Sequence, residues 1–410
     1  MTMFLTLDDF ERAAQLAVDR RWCGEPVWDF IAGGAGAERT LEENRAAFNA
    51  WRLEPRVAVD VSGADLGTTV LGDRWAVPIG MSPTALHQLC CDEGELASVT
   101  AAARVGVPLT LSTFASRTVE EVTAWRPDAQ VWQQVYVFKD RKVTASLVER
   151  AQAAGARAIV VTVDSPWLGR RHRDLRRGGK VIPPQVVARN LAASVGHDPD
   201  IASPAEHSAQ SMDPSLTWAD ITWLTTITDL PVVVKGIQHA RDAEAAVAAG
   251  AGAVFVSNHG GRQLDQCRAT LEVLPEVVAA VGEKCPVILD GGIRSGLDVL
   301  VALALGARAV MVGRPVLAGL AAGAAYPVLG GAANGVGYVM RALVEELLDA
   351  MGQTGRPTLA DIGRDLVSPA PPYAAKTAGC GQPASLPIEL TFPPELTLPA
   401  PSAATLGAAS

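Results

Sequence analysis

The stretch Ala253-Val254-Phe255-Val256-Ser257-Asn258-His259-Gly260-Gly261-Arg262 joins an apolar run to a polar turn. Its first four residues are apolar without alternation, which is typical of a strand buried on both faces. The glycine pair then allows a sharp turn, with an imidazole before it and a guanidinium after it. A base and a fixed cation at one strand end can remove a proton and hold a carboxylate. An ordinary loop with a solvated arginine would show the same pattern.

Seven further apolar runs of this kind lie between about residue 76 and residue 313. Ala-rich amphipathic stretches separate them, and several end in a glycine that stops a helix: Gly106, Gly155, Gly250 and Gly306. Eight such units predict an α/β fold, the (β/α)8 or TIM barrel. An open doubly wound sheet is the alternative, but Met81-Ser82-Pro83-Thr84-Ala85 is not the glycine-rich turn expected after its first strand. The seven runs are 77–80, 107–111, 131–135, 158–163, 231–235, 286–290 and 309–313.

Residues 6–50, which precede the barrel, predict helices. Thr6, followed by acidic residues, predicts a helix N-cap. The helical pattern continues through Val27-Trp28-Asp29-Phe30-Ile31-Ala32 and should end at Gly33-Gly34. Thr40, with Glu43 three residues later, predicts a capping box that opens another helix.

Two segments interrupt the regular pattern. Residues 172–216, between the fourth and fifth strands, are too long and too polar for a tight loop and predict a mobile lid. For residues 194–214 an insertion without a role is the alternative. Residues 368–410 contain nine of the 27 prolines and predict an extended, disordered tail. We expect one domain over residues 1–367, with the lid inside it and the tail after it.

Composition excludes several classes of partner. The chain has 410 residues and a net charge of −9, which argues against a nucleic-acid partner because phosphate binding needs a basic surface. It shows no signal peptide and no apolar run of about 18–20 residues, so we expect no membrane partner and a cytoplasmic location. The six cysteines form no CxxC pair and no zinc-binding spacing, which predicts reduced thiols and no metal. A strained disulfide between Cys90 and Cys91 is the alternative.

Polar residues follow all eight predicted strands. In a barrel of this kind, function lies at the C-terminal ends of the strands. A polar residue at one strand end means little because loops begin there, but polar residues at all eight predict a site. The positions are Pro83-Thr84-Ala85, Ser112, Gln134 with Tyr136, Thr162 with Asp164, Lys235, His259, Asp290 and Gly313-Arg314.

The last two units carry a signal for phosphate. Asp290-Gly291-Gly292-Ile293-Arg294 and Gly313-Arg314 offer backbone N–H groups and two arginines where barrels commonly bind phosphate. The alternative is two tight turns that happen to use glycine. A phosphate at this place implies a phosphorylated cofactor or a phosphorylated substrate.

Lys235 ends the apolar strand Val232-Val233-Val234. A buried lysine without a partner costs several kcal/mol, so this one should meet an electron-rich group. The N1–O2 edge of a reduced flavin is one such group, and a Schiff base is the competing chemical interpretation.

Several motifs together resemble one family. They are residues 257–265, 289–294 and 162–171, with Val234-Lys235-Gly236 and Gln134-Val135-Tyr136. From about residue 5 to residue 367 the chain resembles the FMN-dependent 2-hydroxy acid oxidases and dehydrogenases, which include glycolate oxidase, lactate oxidase and mandelate dehydrogenase. The resemblance implies an FMN-binding TIM barrel, a homotetramer, and a 2-hydroxy acid and O2 as small-molecule partners.

The resemblance also implies a role for each site residue. His259 would be the base, oriented by Asp164, while Arg262 and Arg171 would hold the substrate carboxylate. Tyr136 would bond the substrate hydroxyl. Lys235 would stabilise negative charge on the flavin. The flavin ring would contact Pro83, Thr84, Ala85, Ser112, Gln134 and Thr162, and the phosphate would contact Asp290, Gly291, Gly292, Arg294, Gly313 and Arg314.

Two positions depart from the glycolate oxidase pattern. Phe30 replaces a tyrosine that touches the substrate carboxylate, and Phe114 stands where tryptophan is frequent. Together with Trp167-Leu168-Gly169, these residues look closest to the 4-hydroxymandelate oxidases. Phe30, Phe114 and Leu168 therefore predict a pocket for an aryl or other bulky apolar 2-hydroxy acid.

Three other functions stay open at this point. A dehydrogenase would pass its electrons to an acceptor other than oxygen. A type 2 isopentenyl diphosphate isomerase would use the same FMN barrel, although the paired Arg171 and Arg262 speak against it. A non-catalytic accessory protein of a biosynthetic assembly would use the Pro-rich tail for docking, although the His259, Arg262, Tyr136 and Lys235 set is intact.

Overall fold

A computed structural model describes residues 4–24, 26–176, 178, 181–195 and 212–371. Its strands are β1 (Trp51–Leu53), β2 (Thr68–Val70), β3 (Asp73–Trp75), β4 (Ile79–Met81), β5 (Leu109–Leu111), β6 (Val131–Val135), β7 (Ala158–Thr162), β8 (Val232–Ile237), β9 (Ala253–Val256), β10 (Val287–Leu289), β11 (Ala309–Val312) and β12 (Val367–Pro369). Strands β4 to β11 are parallel and close into a barrel, with β11 hydrogen-bonded to β4. The predicted (β/α)8 barrel is therefore confirmed.

Helices alternate with the barrel strands and cover them. They are α1 (Leu7–Arg21), α2 (Val27–Ala32), α3 (Arg39–Ala46), α4 (Glu95–Val105), α5 (Val119–Trp125), α6 (Arg141–Ala153), α7 (His172–Arg176), α8 (Arg189–Val195), α9 (Trp218–Thr226), α10 (Ala240–Ala248), α11 (Thr270–Val281), α12 (Gly296–Ala304), α13 (Arg314–Ala325) and α14 (Ala332–Gln353). The four glycines predicted to stop helices have φ between 75° and 100°, a left-handed conformation that ends a helix readily. Among the described helices, none combines the length and the apolar character that a membrane crossing requires.

Side chains of each barrel strand alternate between the barrel interior and the layer under the helices. In β8, Val233 packs in the interior cluster with Val160 and Phe255. Its neighbours Val232 and Val234 pack in the larger core beneath the helices. This alternation decides which residues beyond each strand can face the inside of the barrel.

The hairpin of β2 and β3 contributes Val70 and Trp75 to the interior cluster. Its two-residue turn, Leu71-Gly72, has φ of 52° and 85°, as a turn that matches the twist of a hairpin requires. Because these side chains pack with the first residues of the strands, they fill the N-terminal end of the barrel. The C-terminal end is left for the site.

The N-terminal predictions are partly correct. Thr6 caps α1, as predicted, and Asp9 completes a capping box with it. The helix does not continue to Ala32, because α1 ends at Arg21 and α2 begins after Pro26. The prediction of a capping box that begins at Thr40 is wrong, because α3 already begins at Arg39.

The reason for the Thr40 error is tertiary. The Asp265 carboxylate accepts hydrogen bonds from the backbone N–H of Ala37 at 2.8 Å and of Thr40 at 3.0 Å. The Thr40 hydroxyl meanwhile bonds the backbone of Cys267. A residue more than two hundred positions away therefore supplies the cap that local sequence was expected to supply.

The two interrupting segments are described in part. The predicted lid, 172–216, contains α7 and α8, and its residues 177, 179–180 and 196–211 lie outside the described residues. Its mobility stays a prediction. The folded unit reaches Pro371, and β12 pairs antiparallel with β1, so Ser368 and Pro369 belong to it although they were placed in the tail. The remainder of the predicted tail, from residue 372, lies outside the described residues.

Candidate active site

A cavity lies at the C-terminal ends of the barrel strands. Every predicted site residue lines this cavity except Asp164, which contacts His259. The structure therefore brings together residues from the C-terminal ends of all eight barrel strands. The predicted residues that line it are Phe30, Pro83, Thr84, Ala85, Ser112, Phe114, Gln134, Tyr136, Thr162, Leu168, Arg171, Lys235, His259, Arg262, Asp290, Gly291, Gly292, Arg294, Gly313 and Arg314.

Strand alternation explains why these residues converge. The inward series that contains Val160 reaches Thr162 two residues later, and the series that contains Val233 reaches Lys235. In each barrel strand, the same two-residue alternation places a polar or small residue at the C-terminal end. These positions are Ser82, Ser112, Gln134, Thr162, Lys235, Ser257, Asp290 and Gly313.

His259 and Asp164 form the central contact of the site. The Nδ1 atom of His259 lies 2.9 Å from Oδ1 of Asp164, whose side chain is only 4% exposed. The Ser165 hydroxyl donates to the same carboxylate oxygen at 3.0 Å. Burial raises the pKa of Asp164, but the adjacent His259, Lys235 and Ser165 lower it more, so the pKa lies below its ordinary value. The carboxylate therefore stays ionised and leaves Nε2 of His259 for the cavity.

The backbone at His259 is strained in a way that serves this contact. Its φ is 58°, a left-handed conformation that few non-glycine residues adopt. The Ser257 hydroxyl accepts the backbone N–H of His259 at 3.1 Å and helps to hold it. Such strain persists only where the surrounding structure fixes it, and it is frequent at functional sites.

Two guanidinium groups lie against the ring of Phe30. The Cζ atoms of Arg262 and Arg171 are 5.1 Å and 5.5 Å from the ring centroid. Burial lowers the pKa of both arginines, and their mutual repulsion lowers that of Arg262 further. Arg171 pairs with Asp174 at 3.2 Å, whereas Arg262 donates to the backbone carbonyl of Gly33 at 2.7 Å. The pair therefore carries more positive charge than its neighbours neutralise, which suits a carboxylate ligand.

Tyr136 and Phe114 form the neighbouring wall. Their ring centroids are 5.6 Å apart. Burial raises the pKa of the Tyr136 hydroxyl, and the nearby Asp164 charge raises it further. The phenol is therefore a neutral hydrogen-bond donor throughout the physiological range. Leu168, from the loop after β7, and Met212 add apolar surface to the cavity.

Lys235 lies at the floor of the cavity and is almost fully buried. Its Nζ donates to the Ser257 hydroxyl at 2.8 Å and lies 3.4 Å from Oδ2 of Asp290. Ser82 donates to the same Asp290 oxygen at 3.2 Å. The other oxygen, Oδ1, is buried and has no hydrogen-bond partner within the described part of the chain. A buried acceptor of this kind normally meets a donor, so it points to a bound group.

Arg314 and Arg294 are two further cations that line the cavity. Burial lowers the pKa of Arg314 to about 10, and the charge of Arg294 contributes. Arg314 donates to the carbonyls of Ile31, Gly33 and Gly260. Within the described residues Arg314 forms no ion pair with a carboxylate, so the cavity keeps an uncompensated cation at this position.

The side of the cavity near β6 is organised by Gln134. Its Oε1 accepts the backbone N–H of Thr113 at 2.9 Å, and its Nε2 donates to the Thr162 hydroxyl at 3.1 Å. The Ser112 hydroxyl accepts the N–H of Phe114 at 3.1 Å. These polar groups are therefore already oriented before any ligand binds.

Several functional neighbours were not assigned from the sequence. Ser82 and Ser257 follow the inward alternation, which is the signal that could have found them. Ser165 and Gln263 lie inside quoted motifs, and Gln263 donates to the carbonyls of Asp164 and Trp167. Glu11 of α1 had no local signal, since its contact with Arg294 is purely tertiary.

The sequence pattern of FMN-dependent dehydrogenases matches residues 20–369. The chain belongs to this family.

Members of the family resemble the chain over most of its length. L-lactate oxidase of Nostoc sp. is 47% identical over 344 residues, which cover 82% of this chain and 92% of that protein. Human 2-hydroxyacid oxidase 1 is 41% identical over 381 residues, which cover 91% and 98%. A solved structure of mandelate oxidase with (S)-4-hydroxymandelic acid is 41% identical and superposes with a TM-score of 0.80, covering 89% of this chain and 99% of that one. The predicted family resemblance is confirmed.

The residues of the cavity fit FMN. The uncompensated charge of Arg314, together with Arg294, suits a phosphate. The unpartnered Oδ1 of Asp290, whose other oxygen lies beside Lys235, suits a hydroxyl or N–H donor of the cofactor. Gln134, Thr162 and Lys235 offer oriented polar groups of the kind that a flavin ring can hydrogen-bond.

Proposed function

We propose that the chain oxidises an L-2-hydroxy acid with an aryl or other bulky apolar side chain to the 2-oxo acid, with O2 as the electron acceptor and H2O2 as the second product. The observation that carries the proposal is the contact of His259 with a buried, ionised Asp164 beside two arginines. When bound, FMN supplies the two-electron acceptor for the oxidation. Every other step is assigned to the residues of the chain.

His259 takes a proton from the substrate. Its Nδ1 is engaged by Asp164, so Nε2 is the nitrogen that can reach the substrate. Once protonated, the imidazolium is stabilised by the Asp164 carboxylate, which the structure keeps ionised. The carboxylate also fixes the ring orientation and the tautomer.

Arg262 and Arg171 bind the substrate carboxylate. Their burial raises the strength of a charge-assisted hydrogen bond because little water competes. Tyr136 donates to the substrate hydroxyl oxygen, a role that needs a neutral phenol. The carboxylate and the hydroxyl would thereby be held beside His259.

The apolar wall supports a bulky side chain. Phe30, Phe114, Leu168 and Met212 all line the cavity. Phe30 has no hydroxyl to give to the carboxylate, and its ring instead lies against both guanidinium groups. The mandelate oxidase structures that resemble this chain contain (S)-mandelic and (S)-4-hydroxymandelic acid, which further supports an aryl substrate.

Lys235 would stabilise negative charge on the flavin. The residues that would hold the ribityl phosphate end are Arg294, Arg314, Asp290, Gly291, Gly292 and Gly313, and those that would hold the ring are Pro83, Thr84, Ala85, Ser112, Gln134 and Thr162. The position of each in the cavity supports the assignment.

Anaerobic reduction of the purified protein tests the proposal. The protein should be yellow, and (S)-mandelate or (S)-4-hydroxymandelate should bleach its flavin absorbance. Readmitted air should restore the colour and release one H2O2 per turnover. A His259→Ala variant should keep the colour and resist bleaching.

Other outcomes would favour the other functions. A colourless protein would favour an accessory role. A yellow protein that no 2-hydroxy acid bleaches would favour an isomerase. Bleaching that air reverses only slowly, but that an artificial acceptor reverses quickly, would favour a dehydrogenase. The homotetramer and the cytoplasmic location stay predictions.

A further inference from the structure

A buried imidazole lies directly behind the cavity wall. His87, in the short turn His87–Leu89, is 2% exposed and does not itself line the cavity. Its Nε2 lies 2.7 Å from the hydroxyl of Thr84, which does line the cavity. Its Nδ1 lies 2.8 Å from the hydroxyl of Ser98 on α4. The imidazole therefore connects the cavity wall to the helix layer through two hydroxyl groups.

The backbone holds this imidazole firmly. Leu86, just before it, has a φ of 55°, which a bulky residue adopts only where its surroundings impose it. The Leu86 N–H donates to the carbonyl of Phe114 at 3.1 Å. The His87 N–H donates to the carboxylate of Glu95, which is fully buried and also accepts the N–H of Ser116. These contacts fix the backbone that carries the imidazole.

The burial of His87 favours its neutral form. Burial lowers the pKa of His87 by more than the charge of Glu95 and the Thr84 backbone raise it. A neutral imidazole has one N–H donor and one acceptor nitrogen. If Nε2 carries the proton, it donates to Thr84 and leaves the Thr84 hydrogen free for the cavity. If Nδ1 carries the proton, it donates to Ser98, Thr84 donates to Nε2, and only lone pairs face the cavity.

We propose that His87 is a positioning residue that decides whether Thr84 presents a donor or an acceptor to FMN, and so tunes the reduction potential of the bound FMN. Hydrogen bonds to the flavin ring are a recognised means by which a protein tunes the cofactor. Oxidised and reduced flavin differ in the protons that their ring nitrogens carry, so a fixed donor or acceptor favours one of them. The inference rests on FMN binding in this cavity and does not depend on the substrate.

The test is the midpoint potential of FMN in the loaded protein, measured by anaerobic reductive titration against a reference dye. His87→Phe should change the ratio of affinities for reduced and oxidised FMN by tenfold or more, which is about 30 mV for a two-electron couple. His87→Gln keeps a polar partner for Thr84, so its potential should differ from the parental potential by no more than half of the shift in His87→Phe. Ser98→Ala frees the far nitrogen and should shift the potential in the same direction by a smaller amount.

Thr100→Ala is the matched control. Thr100 lies on the same helix as Ser98, but its hydroxyl donates to the carbonyl of Leu96. This variant should keep the parental potential and a similar thermal stability to Ser98→Ala. If His87→Phe keeps the parental potential, or if Thr100→Ala shifts it as much as Ser98→Ala, the proposal is overturned.

The outcomes separate this inference from the proposed function. If His87→Phe does not fold, the difference in FMN potential between Ser98→Ala and Thr100→Ala tests the inference instead. If mandelate bleaches the parent protein but the FMN potential is the same in the parent and in His87→Phe, only the inference is overturned. If His87→Phe shifts the FMN potential but no 2-hydroxy acid bleaches the parent protein, only the proposed function is overturned. A parent that binds no FMN overturns both.

Discussion

Glu11 on helix α1 forms an ion pair with Arg294 after β10, with Oε1 and Nε 2.6 Å apart. Both side chains are mostly buried, at 21% and 15% exposure. Burial lowers the pKa of Arg294, and Glu11 opposes that effect. The N-terminal helix therefore holds one of the two arginines assigned to the phosphate.

The substitution Glu11→Gln should destabilise the FMN-free protein by about 1–3 kcal/mol, because it leaves a buried guanidinium without its anionic partner. FMN should recover most of that loss, since its phosphate supplies the missing negative charge, and the variant should consequently bind FMN more tightly. Urea unfolding with and without FMN measures both effects.

The control for Glu11→Gln is Asp8→Asn. The Asp8–Arg45 pair is 2.7 Å long but exposed, at 57% and 44%. Exposed pairs contribute about 0–1 kcal/mol, so this variant should stay close to the parent. Equal losses in both variants, or no recovery with FMN, would contradict the assignment.

Asp164→Asn should reduce kcat by roughly 10²–10⁴-fold, the range for losing a correctly positioned acid–base group. The amide keeps the shape but not the charge that stabilises a protonated His259. Stopped-flow flavin reduction measures the effect, and the visible spectrum should show that FMN is still bound. Ser165→Ala, which removes one of several donors to Asp164, serves as the milder comparison. Parental reduction rates in Asp164→Asn would refute the role.

The same residue predicts a pH dependence of stability. The pKa of Asp164 is lowered on folding from an ordinary value near about 3.9. A carboxyl group with a lowered folded pKa contributes stability that is fully present above the unfolded pKa and is lost as pH falls through the folded pKa. The free energy of unfolding of the parent should therefore fall more steeply below about pH 4 than that of Asp164→Asn. Parallel curves for the two proteins in urea titrations would exclude this contribution.

Phe30→Tyr should shift the substrate preference toward small acids. A phenol next to Arg171 and Arg262 would add a hydrogen bond to a charged carboxylate, worth roughly 1.5–3 kcal/mol, while making the pocket less apolar. We expect kcat/KM for glycolate to rise by about tenfold relative to mandelate, which corresponds to about 1.4 kcal/mol. Phe114→Tyr, whose new hydroxyl would lie near Tyr136 instead, is the control and should not raise the ratio. An unchanged ratio in Phe30→Tyr would sink the argument for Phe30.

Tyr136→Phe should slow flavin reduction without moving the alkaline side of the pH profile. Because burial raises the pKa of Tyr136, the phenol does not lose its proton in the range where activity is measured. Initial rates between pH 6 and pH 10 in the two proteins test this. Disappearance of the alkaline limb in the variant would show that Tyr136 does titrate there.

Much of the fold and the site could be predicted because each strand carries its own local signal. Continuous apolar runs predicted the barrel strands. The polar residues that follow those runs, from Thr84 to Arg314, predicted the lining of the cavity. The alternation of side chains could have added Ser82 and Ser257 as well.

The rest depends on contacts between distant parts of the chain. Asp265 replaces Thr40 as the cap of α3, and Glu11 pairs with Arg294, without any local pattern that announces either contact. The Leu71-Gly72 turn does have a local pattern, but a short hairpin beneath a barrel is easily hidden among longer elements.

The hydrogen bonds from Ala37 and Thr40 to Asp265 have a consequence for local unfolding. The loop that carries His259 and Arg262 also carries the carboxylate that begins α3. Local unfolding of the N-terminal segment should therefore break hydrogen bonds made by the loop 257–265, so we expect the two regions to unfold as one cooperative unit. Amide protons of Ala37 and Thr40 should show the same free energy of opening in hydrogen exchange as those of that loop, so the N-terminal segment and the site should be lost or regained together.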